Sequence, residues 1–531
     1  MTKFNAPTSN IFEIVKTSAR PQRAFLNRQI IMLLSALGTP DDIFMELQDV
    51  MVKQTNLMMT DTTVAKKIFR RRSMDTHVAK LTFGMLKANQ LDVEEPFLYA
   101  ILEATRLNIL QTLKKKARIF VEKSYLLFGT VDETSTLRED EVFVQVPITD
   151  ESDSFDSEEV GQTMSVIVGD VFVMRNPSLH PGDIRKMKAV RCRQLNHVKN
   201  CVVFSSKGER PAPNMMSGGD LDGDEYFVCY DSRLLPKETF PPMDYNARER
   251  KVVDNVDISD VKQFFVDYIE NDKLGAIANK HLALADQSPQ GVFDERCIRL
   301  CKAHSDAVDF PKSGNPAVID RDIHVEVYPD FMGKPNSKRS NRILGRLYRE
   351  IVGEEDLDHI ADNPCLTYQR DEEIGVDPMF LVDGYEKYLD EAESTKSAYD
   401  RDLRAIMSKY KIKTEAEAIT GHILDFRPIH RRKLYDVQEM VAAEVSDHIL
   451  KYRKLFAKDV LPPHHSDPRF SFLVNTDTEK KAAAWYYVTY SEQDYQSESE
   501  EEEEAPHRQR NRRLLSFAWL VYDVLLKIRR Q

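Results

Sequence analysis

An α+β fold is expected, with one β-rich domain set between two helical regions. Three observations lead there. A helix-period stretch runs from Leu26 to about Ala117, short apolar runs bounded by turn residues fill Arg118 to Asp231, and helical period returns at Phe264.

The first region opens on Leu26 to Leu37, apolar with few β-branched residues. Asp41 and Asp42 follow Pro40, and carboxylates suit the unpaired N–H groups of a helix start. Phe44, Leu47, Val50 and Met51 then recur at three- and four-residue spacing, the stripe of a helix facing a core. In the middle region the apolar runs are Ile119 to Val121, Val142 to Val146, Ser165 to Val168, Val171 to Met174, Cys201 to Phe204 and Tyr226 to Tyr230. Runs this short and this frequent make a barrel or compact sandwich. Phe264 to Leu284 and Cys297 to Phe310 are helical in period. After about Phe380 the chain is helical and charged to Tyr490, and it closes with an apolar helix over Leu514 to Ile528. No internal repeat is visible.

At 531 residues, with 42% apolar and 30% charged residues, the chain is long enough for about three to five globular domains, which excludes a single small module. Its apolar stretches, Ile30 to Leu37 and Phe517 to Leu526, fall far short of the ~20 residues of a membrane-spanning helix. Met1 to Asn10 lacks a secretory pattern, and six Cys in no framework indicate free thiols in a reducing compartment. The expectation is an intracellular protein, cytoplasmic or nuclear. The net charge of −12 would by itself argue against a polyanionic partner. Six acids between Asp150 and Glu159 and eight between Glu492 and Glu504 carry that excess, and the remainder is +2. A block such as Glu498 to Glu504 repels itself and is expected to be a solvated linker, so nucleic acid is not excluded.

The chemistry concentrates in Ser217-Gly218-Gly219-Asp220-Leu221-Asp222-Gly223-Asp224. Carboxylates at i, i+2 and i+4 repel one another unless a cation neutralises them, and oxygen-only ligation selects hard ions such as Mg²⁺, with Mn²⁺ a second option. Glycines let the backbone bend so that alternate side chains converge. An apolar strand, Tyr226 to Tyr230, follows. A calcium loop of the D-x-D-x-D-G type has similar acid spacing, but its sixth place requires Gly and here holds Glu225. A bland turn of solvated aspartates is the other alternative.

Upstream lies Arg175-Asn176-Pro177-Ser178-Leu179-His180-Pro181-Gly182-Asp183, then six bases up to Lys199, among them Lys186 and Lys188. In isolation such a run is most simply a solvated basic face, and near a metal-binding loop it becomes a candidate phosphate contact. His180 alone fits a hydrogen-bonded structural histidine as well as a functional one.

Together these residues resemble the cellular, RNA-silencing type of RNA-dependent RNA polymerase. Asp220-Leu221-Asp222-Gly223-Asp224 matches that family's D-b-D-G-D loop, and Arg175-Asn176-Pro177-x-x-His180-Pro181-Gly182-Asp183-Ile184 its preceding block. Ala307 to Gly314, Tyr328 to Met332 and Leu26 to Gln29 are similar too, and Ser516-Phe517-x-Trp519 resembles the C-terminal segment, with Ala518 where Pro is expected. The resemblance covers residues 1–349 clearly and the remainder loosely. It implies the two-barrel polymerase class, with the aspartates on a double-psi β-barrel. There Asp220, Asp222 and Asp224 hold Mg²⁺, which helps an RNA 3′-hydroxyl attack the α-phosphate of a ribonucleotide. It places Arg175 toward the nucleotide sugar and Lys312 toward phosphate, while His180 in the matched block and Lys186 and Lys188 in the basic run beside it are candidate nucleotide or RNA contacts. It also implies a single-stranded RNA template, ribonucleoside triphosphates, and silencing proteins of the Argonaute, Dicer or helicase type as partners, with no membrane.

On this basis the expected organisation is 1–25 the tail of a first barrel or a linker, 26–117 helical, 118–232 the catalytic barrel, 233–375 a helical continuation of the polymerase core, 376–490 a C-terminal helical region, 491–508 an acidic linker and 509–531 a C-terminal helix. Most of the first barrel is expected to be missing, because Met1 to Asn5 looks like its tail. Two further function classes therefore stand beside the polymerase: a catalytically inactive RNA-binding or scaffold fragment, and another Mg²⁺-dependent phosphoryl-transfer enzyme. Cys297, Cys301 and His304, with His281, are better explained as buried core groups than as zinc ligands, which favour paired ligands on tight turns.

Overall fold

The computed structural model describes residues 14, 16–18, 21–71, 77–147, 163–246, 255–351, 375–424, 434–458, 460–461, 467, 472, 474–491 and 513–529. Both acidic blocks and the opening residues Met1 to Asn5 lie outside the described residues, as does the expected linker beyond residue 491.

Strand β1 (Gln22–Phe25) leads to α1 (Arg28–Ala36), where the Asn27 side chain caps the helix by accepting the Ile30 N–H at 2.9 Å. Helix α2 (Asp41–Leu57) starts at the two aspartates, whose charge suits its N-terminal dipole. Next come α3 (Thr62–Arg71), α4 (His77–Lys87) and α5 (Pro96–Lys116). Strands β2 (Phe120–Val131), β3 (Glu141–Pro147), β4 (Met164–Val166), β5 (Gly169–Arg175), β6 (Arg185–Ala189) and β7 (Cys201–Phe204) follow, then the short α6 (Ala212–Met215) and β8 (Glu225–Cys229). Helices α7 (Ile258–Glu270), α8 (Leu274–Gln287) and α9 (Glu295–Ser313), the small pair β9 (Tyr328–Pro329) and β10 (Ser337–Lys338), and α10 (Ile343–Glu350) come next. The last elements are α11 (Leu389–Tyr410), α12 (Glu415–Thr420), α13 (Leu434–Ala457), α14 (Thr476–Tyr490), α15 (Ser516–Trp519) and α16 (Tyr522–Ile528). Two compact units result, Met1–Met51 with Leu113–Glu350 and Val52–Thr112 with Ile351–Gln531.

The first unit is built on a closed barrel of six strands in the order β2-β7-β3-β6-β5-β8, with β8 pairing back to β2. The β2–β7 and β3–β6 pairs are parallel and the other four antiparallel. Closure removes open strand edges. Side chains alternate as a strand demands: Val142, Val144 and Val146 of β3 join the barrel core with Val171, Val173, Tyr226 and Val228. Phe143 points the other way into a second cluster with Leu137, Cys192, Leu195 and Val203. Each such buried side chain contributes about 1.5–3 kcal/mol.

Strand β6 departs from the sequence expectation, which saw only a basic run there. Its Met187 and Ala189 are buried while Lys186 and Lys188 are exposed, so the run is a half-buried strand with period two. Strand β2 also runs well beyond the apolar Ile119 to Val121, through the exposed, charged Glu122 and Lys123 that interrupt the apolar run in the sequence.

In the second unit α14 packs its aromatic face inward. Trp485 is fully buried, stacked on Phe517 at 4.3 Å and edge-on to Phe456 at 5.0 Å. The expected single helix over Leu514 to Ile528 is instead two short ones. At the break, buried Arg453 donates to the Leu520 carbonyl and pairs with Asp523. No helix among the described residues is long and apolar enough to cross a membrane.

Candidate metal centre

The loop from α6 into β8 carries the three aspartates. Ser217, Gly218, Leu221 and Gly223 all have positive φ (50°, 68°, 61° and 120°), so this short stretch reverses direction repeatedly. Leu221 packs against the barrel core, and its exposed neighbours Asp220 and Asp222 face outward. Gly219 has no alternative: a Cβ there would lie 2.4 Å from the Tyr226 hydroxyl and 2.9 Å from the Pro213 carbonyl oxygen.

One carboxylate oxygen from each of Asp220, Asp222 and Asp224 lies within 4.8 Å of the others. Asp224, at the buried end, accepts Arg175 Nε on Oδ1 at 2.6 Å and the Asp220 N–H on Oδ2 at 2.9 Å. A carboxylate offers about four acceptor positions, so this anchoring leaves about two for a cation. Arg175 Nη1 also donates to the Ser217 carbonyl at 3.0 Å, which fixes the guanidinium between the loop's start and its last aspartate.

The charges are strained in the way like charges predict. The Asp222 carboxyl is pushed up by its hydrogen bond to Asp220 and by that group's charge. Burial raises Asp220 too, but the hydrogen bonds from Asp222, with Lys312 and Arg175 nearby, outweigh it and hold Asp220 low. A divalent cation between the carboxylates relieves this repulsion. An all-oxygen donor set fits a hard cation, so these residues suit a site of the Mg²⁺ or Mn²⁺ kind.

A cavity opens beside the triad, lined by Arg175, His180, Asp183, Asp220, Asp222 and Lys312, with Tyr245 and the α9 side chains Cys301, Ser305 and Asp309. The structure therefore brings Arg175, His180 and Lys312 to the aspartates. His180 caps the turn Pro181–Asp183, its Nδ1 accepting the Gly182 N–H at 3.1 Å, and burial pushes its imidazole down to about 4. Lys186 and Lys188 are not among the lining residues. They stand on the outer face of β6, opposite Phe172 and, for Lys188, Asp170 and Glu141.

Asp183 and Tyr245 escaped the sequence reading as site residues. Asp183 lay inside the quoted block, but nothing local ties it to Tyr245, 62 positions away, whose hydroxyl donates to its carboxylate. Burial raises the Asp183 carboxyl to about 6. His281, Cys297, Cys301 and His304 are all buried. Among the described residues the aspartate triad is the one group of three or more potential ligands that converges as closely as this.

Residues 1–351 match the family model of RNA dependent RNA polymerase, and residues 376–531 match its head domain. The chain is 35% identical over 522 residues to RNA-dependent RNA polymerase 6 of Arabidopsis thaliana, covering 96% of this chain and 43% of that protein. It is 36% identical over 537 residues to probable RNA-dependent RNA polymerase 1 of rice, covering all of this chain and 68% of the relative. With RNA-dependent RNA polymerase 1 of Schizosaccharomyces pombe the identity is 38% over 431 residues, 78% of this chain and 35% of the relative. The chain thus spans less than half the length of two of these relatives. The structure of RNA dependent RNA polymerase QDE-1 from Thielavia terrestris superposes with a TM-score of 0.50 at 18% identity, over 97% of this chain and 57% of that one, so the fold is shared. With a matched family model over 1–351 and relatives this similar, the chain belongs to the cellular RNA-dependent RNA polymerase family.

Proposed function

We propose that this chain carries the nucleotidyl-transfer centre of an RNA-dependent RNA polymerase, joining ribonucleotides to an RNA 3′-hydroxyl on a single-stranded RNA template. The observation that carries the reading is the convergence of Asp220, Asp222 and Asp224 within 4.8 Å on a barrel loop, in a chain of this family. The two parallel pairs within the six-stranded barrel support a double-psi arrangement of the two-barrel class. A bound Mg²⁺ supplies charge stabilisation for the attacking and leaving oxygens of an in-line displacement.

The chain's own residues supply the setting. The three aspartates hold the cation, and Arg175 keeps Asp224 oriented through its Nε. A guanidinium has five donors, of which Asp224 and Ser217 engage two, so Arg175 retains donors for the ribose or phosphate of a nucleotide in the cleft. Lys312 lines the same cleft and places positive charge where triphosphate oxygens would sit. His180, neutral and engaged in its turn, acts by shaping the wall.

The test is incorporation of labelled ribonucleotides, with and without primer, on single-stranded RNA. Template-dependent product that falls at least about a hundredfold in Asp222→Ala is the expected outcome. RNA binding without incorporation, or nucleotide release from RNA in place of synthesis, contradicts it.

A further inference from the structure

Behind the aspartate loop runs a continuous line of hydrogen bonds that begins at a residue outside it. Asp183 is 1% exposed and ends the short turn after β5. Its Oδ1 accepts the Ser217 N–H at 3.1 Å and the Tyr245 hydroxyl, and its Oδ2 accepts the His180 N–H at 3.1 Å. Ser217 in turn offers its carbonyl to Arg175 Nη1 at 3.0 Å, Arg175 Nε reaches Asp224 Oδ1 at 2.6 Å, and Asp224 Oδ2 receives the Asp220 N–H at 2.9 Å. Ser217 is the joint in this line. Its backbone has φ of 50°, a region a residue with a Cβ enters at a cost, so it stays there only if something fixes it.

We propose that Asp183 is a positioning residue for the metal centre: by fixing Ser217 it aims Arg175, and through Arg175 it sets the orientation of Asp224 and Asp220. The inference rests on the triad being a divalent-cation site. Burying a carboxylate is expensive unless donors surround it, and here three donors from three separate segments do so, two of them backbone N–H groups. The carboxylate side chain thereby joins the turn before β6, the start of the aspartate loop and the segment holding Tyr245. Groups behind metal ligands that act this way typically change metal affinity about 10- to 100-fold when removed.

The experiment is a Mn²⁺ titration of the whole chain, following the free ion by electron paramagnetic resonance, with thermal unfolding of each variant recorded alongside. Wild type binds Mn²⁺ and Asp222→Ala does not. If wild type binds no better than Asp222→Ala, the metal reading itself fails, and this inference with it. Given wild-type binding, Asp183→Ala is expected to weaken Mn²⁺ about tenfold or more while still unfolding cooperatively. Asp183→Asn, whose amide oxygen can still accept the Ser217 N–H, is expected to stay within about threefold of wild type. Wild-type affinity in Asp183→Ala overturns the proposal, and so does equal weakening by both variants, which would assign the effect to charge rather than to the link. Should Asp183→Ala lack a cooperative transition, Tyr245→Phe decides. It removes one donor from the same oxygen, so weakening of about threefold supports the proposal and unchanged affinity overturns it.

Discussion

The aspartate loop depends on single atoms. Gly219 sits where a methyl group would press on the Tyr226 hydroxyl at 2.4 Å and on Arg175 Cδ at 3.1 Å, so Gly219→Ala disturbs both the floor of the loop and the arginine that holds Asp224. We expect Gly219→Ala to lower unfolding free energy by about 1–3 kcal/mol in chemical denaturation and to weaken Mn²⁺ binding in the same protein. An unchanged Mn²⁺ affinity would show that the loop adapts. At this scale the triad was legible because its residues are neighbours in sequence, and mutual repulsion is a property of that spacing alone. Arg175 was legible by resemblance but its partner was not, since the 2.6 Å contact with Asp224 joins positions 49 apart. Tyr245 had no signal at all: it lies in a segment without regular structure, and its significance comes entirely from the buried carboxylate it meets.

Among the elements, the strands that alternate or run purely apolar were visible, and those diluted by charge were not. Strand β6 reads as a basic segment until its lysines are assigned to one face and Met187 and Ala189 to the other. The split between α15 and α16 left no local mark in the sequence, and the Leu520 carbonyl there accepts from Arg453 of α13, 67 positions away. Helices α8 and α9 pack together and bury His281 with neither ring nitrogen hydrogen-bonded within the protein, and burial pushes its imidazole down to about 3. A base whose folded pKa is depressed contributes stability above its unfolded value, about 6.5, and loses it as pH falls toward the folded value. His281→Leu is therefore expected to stabilise the fold at pH 7.5 by removing an unsatisfied polar group, and by about 2 kcal/mol more at pH 5. Denaturant melts at the two pH values measure the difference, and equal gains at both would contradict it.

Each of the two compact units buries titratable groups whose shifts link its stability to pH. His180, His281 and His304 of the first are all pushed down by burial, to about 4, 3 and 4, so they disfavour the folded unit as pH falls below about 6.5. In the second, burial raises Glu95 to about 7 despite hydrogen bonds from Tyr490 and the Leu98 N–H. An acid with a raised folded pKa contributes its stability below about 4.5 and loses it as pH rises through 7. Glu95→Gln should flatten that dependence between pH 4.5 and 7 in hydrogen exchange of α5 and α14, and leave exchange of β3 and β5 unchanged. An α+β protein was legible from the change of period along the chain, and its short apolar runs left a barrel or a compact sandwich, of which the structure shows a closed barrel; the order in which the strands pair was not legible. That order is set by long-range pairs such as Leu126 with Phe227, which no local pattern specifies.

The claim on which the rest stands is that the three aspartates hold a divalent ion. Crystals soaked in Mn²⁺ and measured at the manganese absorption edge test it directly. An anomalous peak bounded by the carboxylates of Asp220, Asp222 and Asp224 is expected, and it is absent in Asp222→Ala. Saturating Mn²⁺ with no peak at the triad, or a peak that survives Asp222→Ala unchanged, would contradict it.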